Sequence, residues 1–298
     1  MPERFRDQRP CPLCSQTTYI ALSSPRLAHL WRCAYCDLVS VRRLPEPEEL
    51  HAVYGEAYFR NSRSEESGYE DYEQDRYCIV KTAKRRLDTL ERYTQERGRL
   101  LDVGCALGFF ADTARHRGWQ AEGIDISHHA VEYATEHLGL PARQGILRDA
   151  GYAPGSFDAV TMFDVIEHVT DPVAELQLVR TLLKPGGVVM LSTPDVGSLA
   201  ARLTGPRWMG YKLAEEHLYY FDRKTITLAL DHAGFEVLEA RPIGKDVSLD
   251  FFAKRLRLYA PPIAAGLGWG IEKARLGRAS IYANPRDILS VVARVGRC

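Results

Sequence analysis

LLDVGCALGFF, residues 100–110, is the stretch whose reading decides the fold. Apolar residues around one acid lead into a glycine-rich turn, and the turn leads into an apolar helix start. That is the pattern of a buried strand ending in a loop whose backbone can approach a ligand closely. The glycines are spaced Gly104-x-x-x-Gly108. This is neither the G-x-G-x-x-G of dinucleotide folds nor a phosphate loop, because no Gly-Lys-Ser/Thr follows. Downstream, AEGIDIS (121–127) places Asp125 at the end of a second strand. An acid there can accept hydrogen bonds from the two ribose hydroxyls of an adenosine-type cofactor.

Three further stretches follow in order: GSFDAVTMFDVIEHV (155–169), LLKPGGVVMLSTP (182–194) and HLYYFDRKTITLALDHAGFEVLEA (217–240). Together with DVGCALG and GIDIS they resemble the class I S-adenosylmethionine-dependent methyltransferases, in the subgroup with EHV after the fourth strand and EHLYYF before a late helix. That subgroup includes ubiquinone-type and glycan-associated enzymes. The resemblance implies an α/β fold: a doubly wound, seven-stranded Rossmann-like methyltransferase sheet, here behind a small N-terminal zinc ribbon.

The ribbon reading starts from cysteine spacing. Cys11-Pro-Leu-Cys14 and Cys33-Ala-Tyr-Cys36 form C-x2-C-x18-C-x2-C, which suits a four-cysteine zinc site. A segment this short cannot bury enough apolar surface alone, so a structural zinc would supply the missing stability. With four thiolate ligands the site would be closed and not catalytic. Residues 1–44 carry seven arginines against three acids. The acidic PEPEELHAVYGEAYF that follows offsets this excess and resembles the block after the ribbon in deoxysugar C-methyltransferases.

The chain has 39 basic and 39 acidic residues, so its formal net charge is zero. That argues against bulk nucleic-acid affinity. Its longest apolar runs are too short for a transmembrane helix, and the polar N-terminus has no signal-peptide core. A cytoplasmic, reduced protein is expected.

The expected organisation is a ribbon (1–44), a linker or polar segment (45–75) and a methyltransferase domain (76–298) with an insert at about 247–280. Apolar spacing predicts a helix over about 71–95 that covers the cofactor cleft; for Tyr69 and Tyr72, core or surface packing is preferred over closing on the cofactor. Strand and helix then alternate through residue 192, which predicts a parallel sheet with ligands at the strand ends. Pro261-Pro262 and nearby glycines are expected to break any long amphipathic helix in the insert. A lid or a dimer surface is therefore preferred there over a membrane contact; the oligomeric state stays open.

The resemblance implies methyl transfer from S-adenosylmethionine to a small-molecule or glycan-precursor acceptor, most simply on oxygen. Gly104 and Gly108 would let the chain pass close to the methionine part of the cofactor, with Asp102 near its amino end; Cys105, Ala106 and Asp164 are further cofactor-binding candidates, and Cys105 is expected mainly to pack. Asp125 would hold the ribose, and Ile126, Ile146 and Leu147 would face the adenine. Asp164, Glu167 and His168 fall at i, i+3 and i+4 and can share a divalent metal. His217 is the preferred general base and His168 the second candidate, since an imidazole can take the acceptor's proton. Alternatives are C-methylation of a nucleotide-linked keto sugar, an RNA methyltransferase guided by the ribbon, and a non-catalytic binding protein.

Overall fold

The computed structural model describes residues 4–45, 73–211, 216–257 and 260–296. The linker expected at 45–75 falls almost wholly outside the described residues, as do Tyr69 and Tyr72.

Two sheets organise the described residues. The larger contains β5 (Arg99–Val103), β6 (Gln120–Asp125), β7 (Ala142–Gln144), β8 (Phe157–Phe163), β9 (Leu183–Pro194), β11 (Phe235–Ser248) and β12 (Ser280–Val295). Its order is β11-β12-β9-β8-β5-β6-β7. The five strands β5 to β9 run parallel, and β12 lies antiparallel between β9 and β11. The central strands are apolar on both faces because helices cover both. Leu100, Leu101, Val160 and Val189 are fully buried. Chain order reverses around β5, which pairs with β6 on one side and β8 on the other. A crevice at the C-terminal ends of these strands follows from that reversal.

Helices fill the crossovers: α1 (Arg76–Leu90) before β5, α2 (Phe109–His116), α3 (His128–Leu138), α4 (Pro172–Leu182), α5 (Leu199–Thr204) and α6 (Arg223–His232). Their starts are written in side chains. Ser127 accepts from the Ala130 amide, Asp171 from Ala174, and Asp222 and Thr225 form a reciprocal capping box. α1 stops at Leu90, short of the predicted end at 95. The chain must turn back into β5 there, and Glu91, just past the helix, accepts from Arg97, Arg117 and Trp119.

The smaller sheet has the order β1-β2-β3-β4-β10. β1 (Arg4–Arg6), β2 (Thr18–Ala21), β3 (Leu30–Cys33) and β4 (Val39–Val41) come from the cysteine-rich segment. β10 (Tyr219–Tyr220) comes from the segment after His217 and pairs with β4, Tyr219 opposite Ser40. One apolar core runs from the ribbon residues Tyr19, Trp31 and Val39 through Leu218 and Phe221 to Val160 and Val189.

The insert is the tip of the long β11–β12 hairpin. It holds α7 (Leu249–Leu256) and α8 (Pro261–Lys273). The prolines do not prevent α8, because they occupy its first turn, where no intrahelical donor is needed. Among the described residues, no helix is long and apolar enough to cross a membrane.

Candidate active site

The β5–α2 loop is shaped by backbone conformation. Gly104, Ala106 and Gly108 all have positive φ (69°, 47° and 83°). A Cβ at Gly104 would collide with Val165 from the turn after β8. At Gly108 it would meet Leu140 Cδ2 at 2.8 Å and Ala134 at 3.0 Å, so this glycine serves the fit of α2 against α3. Cys105 packs against Gly123, and burial raises its thiol pKa well above the usual range, which suits packing and not nucleophilic chemistry.

Asp125 ties the loop to the next strand. One carboxylate oxygen accepts from the Ala106 amide (2.8 Å) and the other from Ser127 (2.9 Å). Burial pushes its pKa up and these amides oppose the shift. Each oxygen keeps a further lone-pair direction for a hydroxyl. Asp102 is buried beneath the loop and accepts from Thr161 Oγ1 at 2.6 Å, and burial brings its pKa up to about 7.

Asp102, Gly104, Cys105, Ala106 and Asp164 converge on one groove, with Ile79 and Thr82 of α1, Phe109 of α2 and Phe163 of β8 as neighbours. Ile126, Ile146 and Leu147 do not line this part of the groove. Ile146 is exposed, and Leu147 turns into the core. Two cations that sequence reasoning missed complete the groove. The Arg86 guanidinium lies 4.0 Å from the Phe163 ring centroid, and its buried Nε has no hydrogen-bond partner. Lys245 Nζ donates to Asp164 Oδ2 at 2.7 Å, while Ser192 donates to Oδ1 at 3.0 Å. Burial would raise the Asp164 pKa, but Lys245 and Arg86 overcome it and bring it down to about 2. Neither cation had a signal in sequence. Arg86 is one of several basic residues on α1, and Lys245 arrives from the far end of the fold.

The groove fits the amino-acid end of S-adenosylmethionine. That end is a zwitterion, and the groove is lined by groups of both signs, the Asp102 and Asp164 carboxyls and the Arg86 and Lys245 cations.

Beyond Asp164 lies a second cluster. One ligand atom from each of Glu167, His168 and His217 lies within 4.8 Å of the others. The Glu167 carboxylate is buried with no standard hydrogen bond on either oxygen. Burial and Asp164 push its pKa well above the usual carboxylate range. His168 Nδ1 is 2.9 Å from the Glu216 carbonyl, so it must donate there, which leaves the lone pair on Nε2. Burial lowers its pKa to about 4. His217 stands edge-on to His168, centroids 4.7 Å apart, and its buried Nδ1 has no partner. Burial and His168 hold its pKa well below the usual value. Both imidazoles are therefore neutral at ordinary pH. Asp164, expected to join Glu167 and His168, is instead engaged by Lys245, and His217 takes its place in the cluster.

In the ribbon, the Sγ atoms of Cys11 and Cys36, and of Cys14 and Cys33, are 3.4 Å apart. That is too far for a disulfide. It is close to the ~3.8 Å edge of a tetrahedron with zinc–sulfur bonds of about 2.3 Å. All four sulfurs lie within 4.8 Å of one another, so the donor set fits a closed zinc site.

A seven-stranded sheet in this order, with its crevice beside β5 and a loop built on Gly104 and Asp125, defines a Rossmann-like methyltransferase fold. The chain belongs to the methyltransferase domain family, which matches residues 71–240. The ubiquinone biosynthesis O-methyltransferase of Chromobacterium violaceum is 40% identical over 115 residues, which is 36% of this chain and 50% of that protein. The chain thus spans about half the length of such curated relatives. A SAM-dependent methyltransferase from Archaeoglobus fulgidus has a TM-score of 0.51 at 15% identity, covering 75% of this chain and 98% of that one. Haemonchus contortus phosphoethanolamine N-methyltransferase 2, solved with S-adenosyl-L-methionine, has a TM-score of 0.50 at 20% identity, covering 72% of this chain and 53% of that one. These structures share the fold.

Proposed function

We propose that the chain transfers a methyl group from S-adenosylmethionine to an oxygen of a small-molecule or glycan-precursor acceptor, with His217 as general base. The carrying observation is adjacency: Asp164 lines the groove and acts electrostatically on Glu167, His168 and His217, which cluster together. The cofactor supplies an electrophilic methyl on a sulfonium that is already a good leaving group. The protein has to align, desolvate and accept a proton. Arg86 and Asp102 orient the amino-acid end. Gly104 lets the loop lie close, and Asp125 fixes the ribose end through its remaining lone pairs. His217, kept unprotonated by burial, would take the acceptor's proton at Nδ1 once the acceptor reaches the cluster. His168 fixes the geometry of the pair through its bond to the Glu216 carbonyl.

A second reading has its own observation. A carboxylate and two neutral imidazoles within 4.8 Å are also a ligand set for a divalent metal, with Glu167 ionised by the ion. In that case the metal and not His217 would lower the pKa of the acceptor hydroxyl.

Calorimetric titration with S-adenosylmethionine and S-adenosylhomocysteine, followed by methyl-transfer assays on phenolic and glycan-precursor acceptors, tests the proposal. Micromolar binding of both ligands is expected. His217→Asn should lower turnover about 10²–10⁴-fold with S-adenosylhomocysteine affinity unchanged. Absence of binding by zinc-loaded, folded protein would sink the enzyme reading. Turnover that vanishes with a chelator and returns with Mg²⁺ or Mn²⁺ would favour the metal reading.

A further inference from the structure

The cleft and the ribbon leave one surface of the chain without a role. From Pro261 to Ile271 the sequence carries no charged side chain. Yet α8 buries only Ala264 and Ile271, resting on α7 at the tip of the β11–β12 hairpin. Ile263 and Trp269 are 67% and 65% exposed, and Leu267 and, just past the helix, Leu276 are exposed as well. Gly266, Gly268 and Gly270 weaken the helix in water, so neither intrinsic propensity nor burial within the chain accounts for it. An apolar surface of this kind marks an interaction site.

The charges around it indicate what covers it. Between residues 254 and 278 the chain carries six basic side chains, Lys254, Arg255, Arg257, Lys273, Arg275 and Arg278, against one acid, Glu272. The whole chain is neutral, so this excess is local. Five of the six are exposed, and Lys273 lies 4.7 Å from the Trp269 ring centroid at the helix end. A second copy docked face to face would oppose two such basic rims. An anionic lipid surface neutralises them and takes up the apolar side chains together. Tryptophan with a neighbouring lysine suits the headgroup boundary. The 13 residues of α8 are too few to span a bilayer, so the helix would lie in its plane.

We propose that α8 and its basic flanks dock the protein on an anionic bilayer surface. Docking is independent of the assignment of the cleft. The test is co-sedimentation of the full chain with vesicles of phosphatidylcholine alone and of equimolar phosphatidylcholine and phosphatidylglycerol. Binding to the anionic vesicles is expected to be at least about tenfold tighter than to the neutral ones, and to weaken with added salt. The triple variant Ile263→Ser, Leu267→Ser, Trp269→Ser should lose about tenfold or more of that binding, with its unfolding midpoint retained. Lys273→Glu with Arg275→Glu should weaken the anionic preference, separating charge from apolar contact. Wild-type protein that stays in the supernatant with anionic vesicles at low salt would overturn the proposal. So would a triple variant that binds as tightly as wild type, or a lipid-free wild-type dimer that this variant converts to monomer; a second copy would then be the occupant.

Discussion

Asp102 answers to two requirements at once. Its backbone belongs to the central strand, between β6 and β8, while its side chain lines the groove beside the Gly104 loop. Burial lifts its pKa to about 7, so the folded protein holds that proton more tightly than the unfolded chain. A group raised in this way favours folding fully below its unfolded pKa, about 4, and that contribution is lost as pH rises through 7. Asp102→Asn keeps an acceptor for Thr161 Oγ1 and removes the titration. In urea unfolding without cofactor, the variant should match wild type near pH 4 and exceed it by about 1–3 kcal/mol near pH 8. A stability difference that does not change between these pH values would show that Asp102 does not carry this coupling. At this scale the sequence was legible where chemistry is tied to a local turn, as in the pairing of Asp125 with the Gly104–Gly108 loop. Arg86 and Lys245 were illegible because only tertiary structure separates them from other surface cations. The grouping of His217 rather than Asp164 with Glu167 and His168 has the same origin: the i, i+3, i+4 pattern cannot register that Lys245 engages Asp164.

β10 is a two-residue strand whose pairing joins the ribbon to the candidate base. Tyr219 and Tyr220 pair with Ser40 and Val39, the Val41 amide donates to the Leu218 carbonyl, and His217 immediately precedes them. Lys224 also reaches Asp37 at 2.8 Å, though that pair is exposed and contributes little. Most strands and helices of the large sheet could be read from apolar runs, caps and glycines. β10 could not, since two tyrosines in a loop carry no strand period and the partner lies far away in sequence. A zinc ion on the four thiolates would, through this pairing, support the segment that carries His217. Cys14→Ser should abolish stoichiometric zinc and raise amide exchange over residues 217–221 by about tenfold or more. Methyl transfer should fall, while S-adenosylhomocysteine affinity should change by less than about threefold, because the groove between α1, β5 and β8 has no ribbon residue in it. Unchanged exchange in 217–221 with zinc absent would detach the ribbon from this role.

Across the whole molecule, the shared strand and shared core bear on whether residues 1–44 are a domain in the energetic sense. Cysteine spacing points to an independent module stabilised by its ion. The packing points elsewhere, because Tyr19, Trp31 and Val39 belong to the same apolar cluster as Leu218, Phe221 and the central strands. Stacked on Tyr19 at 4.5 Å between centroids and donating from Nε1 to Ser40 Oγ, Trp31 reports on the ribbon. Trp119 and Trp208 are buried in the remainder of the chain. If the core is energetically continuous, breaking the ribbon exposes apolar surface on both sides of the β4–β10 junction. The two regions should then melt together. The fluorescence difference between wild type and Trp31→Phe isolates the Trp31 signal. In zinc-loaded protein its denaturation midpoint should coincide with that of far-ultraviolet circular dichroism, which the large sheet and its helices dominate. An earlier Trp31 transition with an intact remainder would make the ribbon a separate folding unit, and the boundary near residue 44 would then be a true domain boundary.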